Sequence, residues 1–168
     1  MTFDKENIDN LVNKIVIVTG ANSGIGYEAA KIFAEKGAKV ILACRDDEKG
    51  QQAQNLIGNG SKYINLDLTS FNNIERFSER VKFEFGKVDI LLNNAGVMFP
   101  PFTKTEEGLE LTFAVNYIGY FYLTLKLLDA IKNVKDSRIV NVSSIAHYGA
   151  KTIDFDNLNS EKKYDRSS

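Results

Sequence analysis

At 168 residues, 43% of them hydrophobic and 26% charged, the chain has the size and composition of one globular domain with an ordinary core. Its 22 acids nearly balance its 21 bases, so charge supports neither a nucleic-acid partner nor an anionic membrane surface. Cys44 is the only cysteine and His147 the only histidine, which excludes an internal disulfide and a thiol or histidine metal cluster, and fits a reducing compartment.

The N-terminal ten residues are polar and mixed, without a charged leader followed by an apolar stretch. No segment is expected to be long and apolar enough to span a bilayer; the nearest, Tyr117–Leu128, is short and interrupted by Lys126. The expected location is therefore cytoplasmic or membrane-peripheral.

Apolar runs alternate with amphipathic stretches along the chain. The pattern predicts strands at Lys14–Thr19, Lys39–Ala43, Lys62–Asn65, Val88–Leu92 and Arg138–Ser143, and helices at about Ile25–Lys36, Asp47–Leu56, Ser70–Phe85 and Glu107–Lys132. Val40-Ile41-Leu42, Ile90-Leu91-Leu92 and Ile139-Val140 are continuous apolar runs, which suit strands covered on both faces. The expectation is a single α/β domain, a Rossmann-type doubly wound parallel sheet. Lys151–Ser168 is polar and turn-rich and reads as a loop or tail.

Behind the first strand lies Thr19-Gly20-Ala21-Asn22-Ser23-Gly24-Ile25-Gly26. A strand, a glycine-rich turn and a helix start make an anion site, because glycines let the backbone approach a pyrophosphate and the helix presents free N–H groups. An ordinary tight turn would also need glycine, but the position in the first strand–helix unit points to a dinucleotide. Arg45 follows the second strand near the place where an acid would hold the adenosine ribose, and Cys44 supplies no carboxylate there. The guanidinium suits a phosphate; equally, Arg45 reads as a surface arginine paired with Asp46 or Asp47. Asp67, followed by Leu68, can accept a hydrogen bond from adenine or cap the helix starting near Ser70. Asn93-Asn94-Ala95-Gly96 follows the fourth strand, where small residues admit a ligand to the backbone and the asparagines can tie sheet ends together; a simple turn is the plainer alternative.

Together with Val115-Asn116-x-x-Gly119 and Val142-Ser143-Ser144, these pieces resemble the short-chain dehydrogenase/reductase family from Lys14 to about Tyr148. Ala43-Cys44-Arg45-Asp46 and Asn141-Val142-Ser143-Ser144-Ile145-Ala146-His147 look like its retinol-dehydrogenase-like branch. The resemblance implies strand order 3-2-1-4-5. It also implies NADP(H) as cofactor, with NAD(H) as the alternative, held by Gly20, Asn22, Ser23, Gly24, Ile25, Gly26, Arg45, Asp67, Leu68, Asn94, Ala95 and Gly96. Hydride transfer to a lipophilic alcohol or carbonyl is implied, with Ser144 bonding the substrate oxygen and Asn116 organising a water relay; Ser143 competes for the serine role, and His147 has no counterpart. A homo-oligomer is the implied assembly of the complete protein.

The family's acid–base Tyr-x-x-x-Lys lies downstream of the serine. After Ser144 this sequence has only Tyr148 and Tyr164, whose fourth residues onward are Thr152 and Ser168, and Tyr148 with Lys151 misses the spacing by one. The expectation is an N-terminal portion of such an oxidoreductase, inactive by itself, whose long fourth helix leaves apolar surface exposed. A non-catalytic dinucleotide- or partner-binding module is the competing function, and a fold holding another phosphate ligand a third.

Overall fold

The computed structural model describes residues 5–149 and 152–164. Five parallel strands, β1 (Ile15–Thr19), β2 (Lys39–Cys44), β3 (Lys62–Asn65), β4 (Ile90–Asn93) and β5 (Arg138–Asn141), lie in the order β3-β2-β1-β4-β5. Val16 of β1 pairs with Val40 on one side and Ile90 on the other. Helices α1 (Gly24–Glu35) and α2 (Asp47–Ile57) cover one face, and α3 (Phe71–Phe85) and α4 (Leu111–Lys132) cover the opposite face.

Burial on both faces of the sheet explains why β1 is apolar from Ile15 to Val18. Val16 and Val18 pack with Val40, Leu42, Ala30 and Ala34 on one face. Ile15 and Ile17 pack with Ile41, Ile74, Phe77, Leu123 and Leu127 on the other. Each fully buried Leu or Ile of this kind contributes about 1.5–3 kcal/mol. At the opposite end from the glycine turn, Asp89 is buried, accepts from the Ile15 N–H at 2.9 Å and pairs with Lys14 at 3.0 Å and Lys87 at 2.9 Å. That carboxylate fixes the start of β1 beside the start of β4.

Local signals set the helix ends. Asp46 caps α2 by accepting from the Lys49 N–H at 2.9 Å, and Ser70 caps α3 by accepting from the Asn73 N–H at 3.2 Å. Gly86 closes α3 in the left-handed conformation. The long helix departs from expectation in three ways. It begins at Leu111 rather than Glu107, because Gly108 (φ 78°) closes a turn with Thr105 and Lys104 bridges to Glu110. The Glu110 carboxylate then caps the new start, accepting from the Thr112 and Phe113 N–H groups. Its second turn, Ala114–Ile118, is π-helical, between α-helical Leu111–Phe113 and Gly119–Lys132. Finally, the run of 22 residues is long and apolar enough to cross a membrane by length and composition, which corrects the expectation that no segment is. The helix continues through the π turn, so the apolar stretch does not stop at Tyr117. Leu123 and Leu127 are fully buried in the core, so packing against the sheet accounts for part of this apolar length.

The face of α4 away from the sheet is less covered. Tyr117, Phe121, Leu125 and Leu128 are exposed along it, and Ile139 and Val140 are exposed on the edge strand β5. The stripe on α4 is the surplus apolar surface expected from the sequence, whereas Ile139 and Val140, expected on a strand covered on both faces, lie on the edge strand and are exposed. Beyond residue 151, the described tail carries one 3-10 turn, Phe155–Asn157, whose start is held by Asp154 accepting from the Asp156 N–H; Lys151 and residues 165–168 of the predicted loop lie outside the described residues.

Candidate functional site

The carboxyl ends of β1, β2 and β4 open on a cavity of about 420 Å³ lined by Gly20, Asn22, Ser23, Ile25, Arg45, Asp67, Leu68, Asn94, Ala95 and Gly96, among others. Of the residues expected to hold a dinucleotide, only Gly24 and Gly26 are absent from that lining, and both lie in the first turn of α1 beside it. Gly20 and Gly24 take positive φ (67° and 56°). A Cβ on Gly26 would stand 2.5 Å from the Gly20 carbonyl oxygen and 2.4 Å from Asn94 Nδ2, so the turn closes this tightly only with glycine. A Cβ on Gly20 would meet the Ala95 Cα at 2.9 Å. Ser23 stands at the N-cap of α1 without a side-chain cap bond, leaving the first-turn donors of a 12-residue helix for another acceptor. The donor set, the open helix start and the close backbone approach fit a pyrophosphate.

Thr19, absent from the predicted site residues, organises this edge. Its Oγ1 accepts from the Asn94 N–H at 2.8 Å and the Ala95 N–H at 2.9 Å, and Asn94 Nδ2 donates to the Thr19 carbonyl at 3.0 Å. A hydroxyl at a strand end, directly before the glycines, was the available signal. Asn93 Nδ2 donates to Asn141 Oδ1 at 2.8 Å, tying β4 to β5 as the asparagine pair suggests.

On the far side of the cavity, the acids beside Arg45 are already engaged. Asp46 caps α2 and pairs with Lys49, while Asp47 accepts from the Tyr63 hydroxyl and from Asn65 Nδ2. Among the described residues Arg45 makes no ion pair, so the reading of Arg45 as paired with Asp46 or Asp47 does not hold. Cys44, buried beneath it, is pushed up to about 11 by burial and then by Asp46 and Asp47, and stays a thiol at neutral pH. Asp67 is not the cap of α3, since Ser70 is. Its Oδ1 accepts from the Thr69 N–H and hydroxyl at 2.9 and 2.7 Å, and its own N–H donates to Asn73 Oδ1. Leu68 is buried, and its carbonyl oxygen lies where a Cβ on Gly119 would approach to 2.6 Å.

A second cavity, of about 680 Å³, shares residues 94–97 with the first and adds Asn116, Tyr120, Ser143, Ser144 and Tyr164. Asn116 lies in the π turn, and its amide closes a two-way bond with Val97: Oδ1 accepts from the Val97 N–H and Nδ2 donates to the Val97 carbonyl, both at 2.9 Å. Widening one helical turn is how this side chain reaches the loop after β4. Ser144 follows β5 just before a 3-10 turn at Ile145–Gly149, and its Oγ accepts from the Ala146 N–H at 3.1 Å. Ser143 lines the same cavity, so the two serines share this wall. Burial pushes the Tyr120 phenol up to about 12, which keeps it protonated. Tyr148 is exposed against His147, and the Tyr164 hydroxyl donates to the Pro100 carbonyl at 2.6 Å. Among the described residues no group of acids, thiols and histidine is arranged to hold a metal ion.

The pattern of the short chain dehydrogenase family matches residues 14–152. The chain is 46% identical to human retinol dehydrogenase 11 over 159 residues, covering 92% of this chain and 50% of that protein. It is 49% identical to mouse retinol dehydrogenase 13 over 158 residues, covering 90% of this chain and 47% of that protein. The chain thus spans about half the length of these relatives. Among solved structures, an uncharacterised protein from Mycobacterium paratuberculosis superposes with a TM-score of 0.89 at 33% identity, over 99% of this chain and 59% of its own. A short chain dehydrogenase from Shigella flexneri, complexed with NADP, gives 0.73 at 28% identity, over 85% of this chain and 64% of its own.

Proposed function

This chain belongs to the short-chain dehydrogenase/reductase family, in its retinol-dehydrogenase-like branch, and we propose that it forms the cofactor-binding portion of an oxidoreductase that uses NADP(H) on a lipophilic alcohol or carbonyl compound. The observation that carries this reading is the shared wall. One cavity holds the glycine cradle and the other holds Ser144, and residues 94–97 border both.

The nicotinamide cofactor supplies the hydride in such chemistry, and the protein supplies orientation and the proton. The glycine turn and the start of α1 bind the pyrophosphate. Asp67 and Leu68 border the adenine end, and Arg45 takes the 2′-phosphate that distinguishes NADP(H). Ser144 donates a hydrogen bond to the substrate oxygen where charge develops, and Asn116 holds the loop between the two ligands and orders water beside it. No Tyr-x-x-x-Lys follows Ser144 in these 168 residues, and among the described residues the Tyr164 hydroxyl is bonded to Pro100, so the paired tyrosine and lysine with which the family exchanges the proton are not among them. These 168 residues are therefore expected not to turn over substrate by themselves.

The test uses a version extended through the family's Tyr-x-x-x-Lys beside the 168-residue chain, assayed with NADPH and a panel of retinoid, steroid and aliphatic carbonyls. Turnover by the extended version alone supports the proposal, since a positioned acid–base group contributes about 10²–10⁴-fold. Binding without turnover in the extended version favours a dinucleotide-binding module instead. Arg45→Ala should weaken NADP(H) binding by about 1.5–3 kcal/mol and leave NAD(H) nearly unchanged; equal losses for both cofactors overturn the NADP(H) preference.

A further inference from the structure

Asn65 stands at the carboxyl end of β3, in register with Cys44 of β2, directly before Arg45. All the bonding capacity visible at its amide is directed at the neighbouring cofactor edge. Nδ2 donates to the Arg45 carbonyl and to Asp47 Oδ1, both at 2.9 Å. Oδ1 accepts from Asn73 Nδ2 at 2.9 Å, and Asn73 Oδ1 in turn accepts from the Asp67 N–H at 2.8 Å. One side chain therefore links the turn carrying Arg45 to the turn carrying Asp67.

We infer that Asn65 is a positioning residue for cofactor choice: it fixes the Arg45 backbone and, with Tyr63, holds the Asp47 carboxylate away from Arg45, leaving the guanidinium unpaired for a 2′-phosphate. The inference rests on the NADP(H) reading above. Its physical logic is competition. An unengaged carboxylate two residues from an arginine is a ready ion-pair partner and would also repel an incoming phosphate. Here Asp47 Oδ1 accepts two hydrogen bonds, from Tyr63 and Asn65, and these hold its carboxyl below the usual aspartate range, so it is stable as an anion without Arg45. Asp46 is withdrawn separately, by capping α2 and pairing with Lys49. A substitution at Asn65 that removes the amide releases both the Arg45 carbonyl and one donor to Asp47, and the acid regains access to its neighbour.

The experiment is calorimetric binding of 2′,5′-ADP and of 5′-AMP, which differ only in the 2′-phosphate, to the 168-residue chain. Four proteins are compared: wild type, Asn65→Ala, Arg45→Ala and the double variant. Asn65→Ala should weaken 2′,5′-ADP by about 5- to 10-fold, as loss of one or two hydrogen bonds implies, with 5′-AMP changed less than twofold. In the Arg45→Ala background the same change should have no further selective effect, because the arginine it serves is gone. Tyr63→Phe, which removes the other donor to Asp47 while keeping the ring, should shift selectivity in the same direction and supplies the answer if Asn65→Ala does not fold. Equal losses for both ligands, no loss, or a selective loss that persists without Arg45 would each overturn the inference. If Arg45→Ala itself shows no selectivity, or wild type does not prefer 2′,5′-ADP, the NADP(H) reading has failed first.

Discussion

Replacing Gly119 by alanine sets two rules against each other. Gly119 lies inside α4, where alanine is favoured over glycine by about 1 kcal/mol, so helix propensity predicts a more stable protein. The packing predicts the reverse. A Cβ there would stand 2.6 Å from the Leu68 carbonyl oxygen, 2.8 Å from Leu68 Cβ and 3.0 Å from the Ala114 carbonyl oxygen. The Ala114 oxygen already accepts the Gly119 N–H that closes the π turn, so neither backbone oxygen can swing aside as a side-chain tip would. Overpacking of this kind costs about 1–3 kcal/mol, and two backbone neighbours place it near the upper end. After the propensity gain, Gly119→Ala should be about 2 kcal/mol less stable. For a domain of this size that lowers Tm by about 4–8 °C. Thermal denaturation followed by circular dichroism, with urea unfolding as a second measure, reads the difference. A variant as stable as wild type or more so would refute the argument, and with it the claim that Gly119 is there to let α4 lie against Leu68.

Asn116→Ala removes both bonds to Val97 and should cost about 1–3 kcal/mol in urea unfolding, with added protease sensitivity between residues 97 and 110; unchanged cleavage there would mean that the loop is held by other contacts. At Asp89, burial pushes the carboxyl up, but the Ile15 N–H and the Lys87 and Lys14 ammoniums outweigh it and hold the group below the usual aspartate range. A carboxyl depressed in the folded state adds stability above its unfolded pKa, about 3.9, and that stability is lost as pH falls through the lower folded value. Urea unfolding from pH 7 down to pH 2 should therefore show a fall below about pH 4 that is shallower in Asp89→Asn, and an identical slope would remove Asp89 from the account. Phe121→Lys with Leu125→Lys, on the exposed stripe of α4, should alter stability by less than about 1 kcal/mol yet reduce binding of a hydrophobic dye and self-association in sedimentation; a large loss of stability would show that the stripe is packed.

The strand positions were legible because β-branched runs such as Ile15-Val16-Ile17-Val18 admit one explanation, burial on both faces of a sheet. The strand order came with the family resemblance rather than from periodicity, which is silent about neighbours. The start of α4 was misplaced because Glu107–Glu110 fits a helical pattern, while the turn that excludes it depends on Gly108 and on a bridge to Lys104. The π turn was hidden for a different reason. An extra residue in a turn has no composition signal of its own, yet it is what brings Asn116 to Val97. At the candidate site, Gly20 and Asn94 could be placed by strand ends, while Ser144, with Ser143 competing, came with the family resemblance. The surroundings of Arg45 could not be placed, because Tyr63 and Asn65 reach Asp47 from the neighbouring strand, and adjacency in sequence left open an ion pair that is not made among the described residues.

The loop after β4 is where these separate facts act on one another. Residues 94–97 border both cavities, and they are held from opposite sides by groups that belong to different elements. The Thr19 hydroxyl and carbonyl fix Asn94 and Ala95 from β1, while Asn116 fixes Val97 from the π turn of α4. Gly20 lets Ala95 sit against the glycine turn, at a spacing where a Cβ would already collide. A loop pinned at both ends loses little conformational freedom when a ligand arrives on either side, so binding there carries a smaller ordering cost than on a free loop. The same pinning sets the separation between a ligand on the glycine side and one beside Ser144, and reactions between bound groups depend steeply on that separation. Asn116 therefore matters to the proposed chemistry first as a strut and only then as a polar group beside substrate.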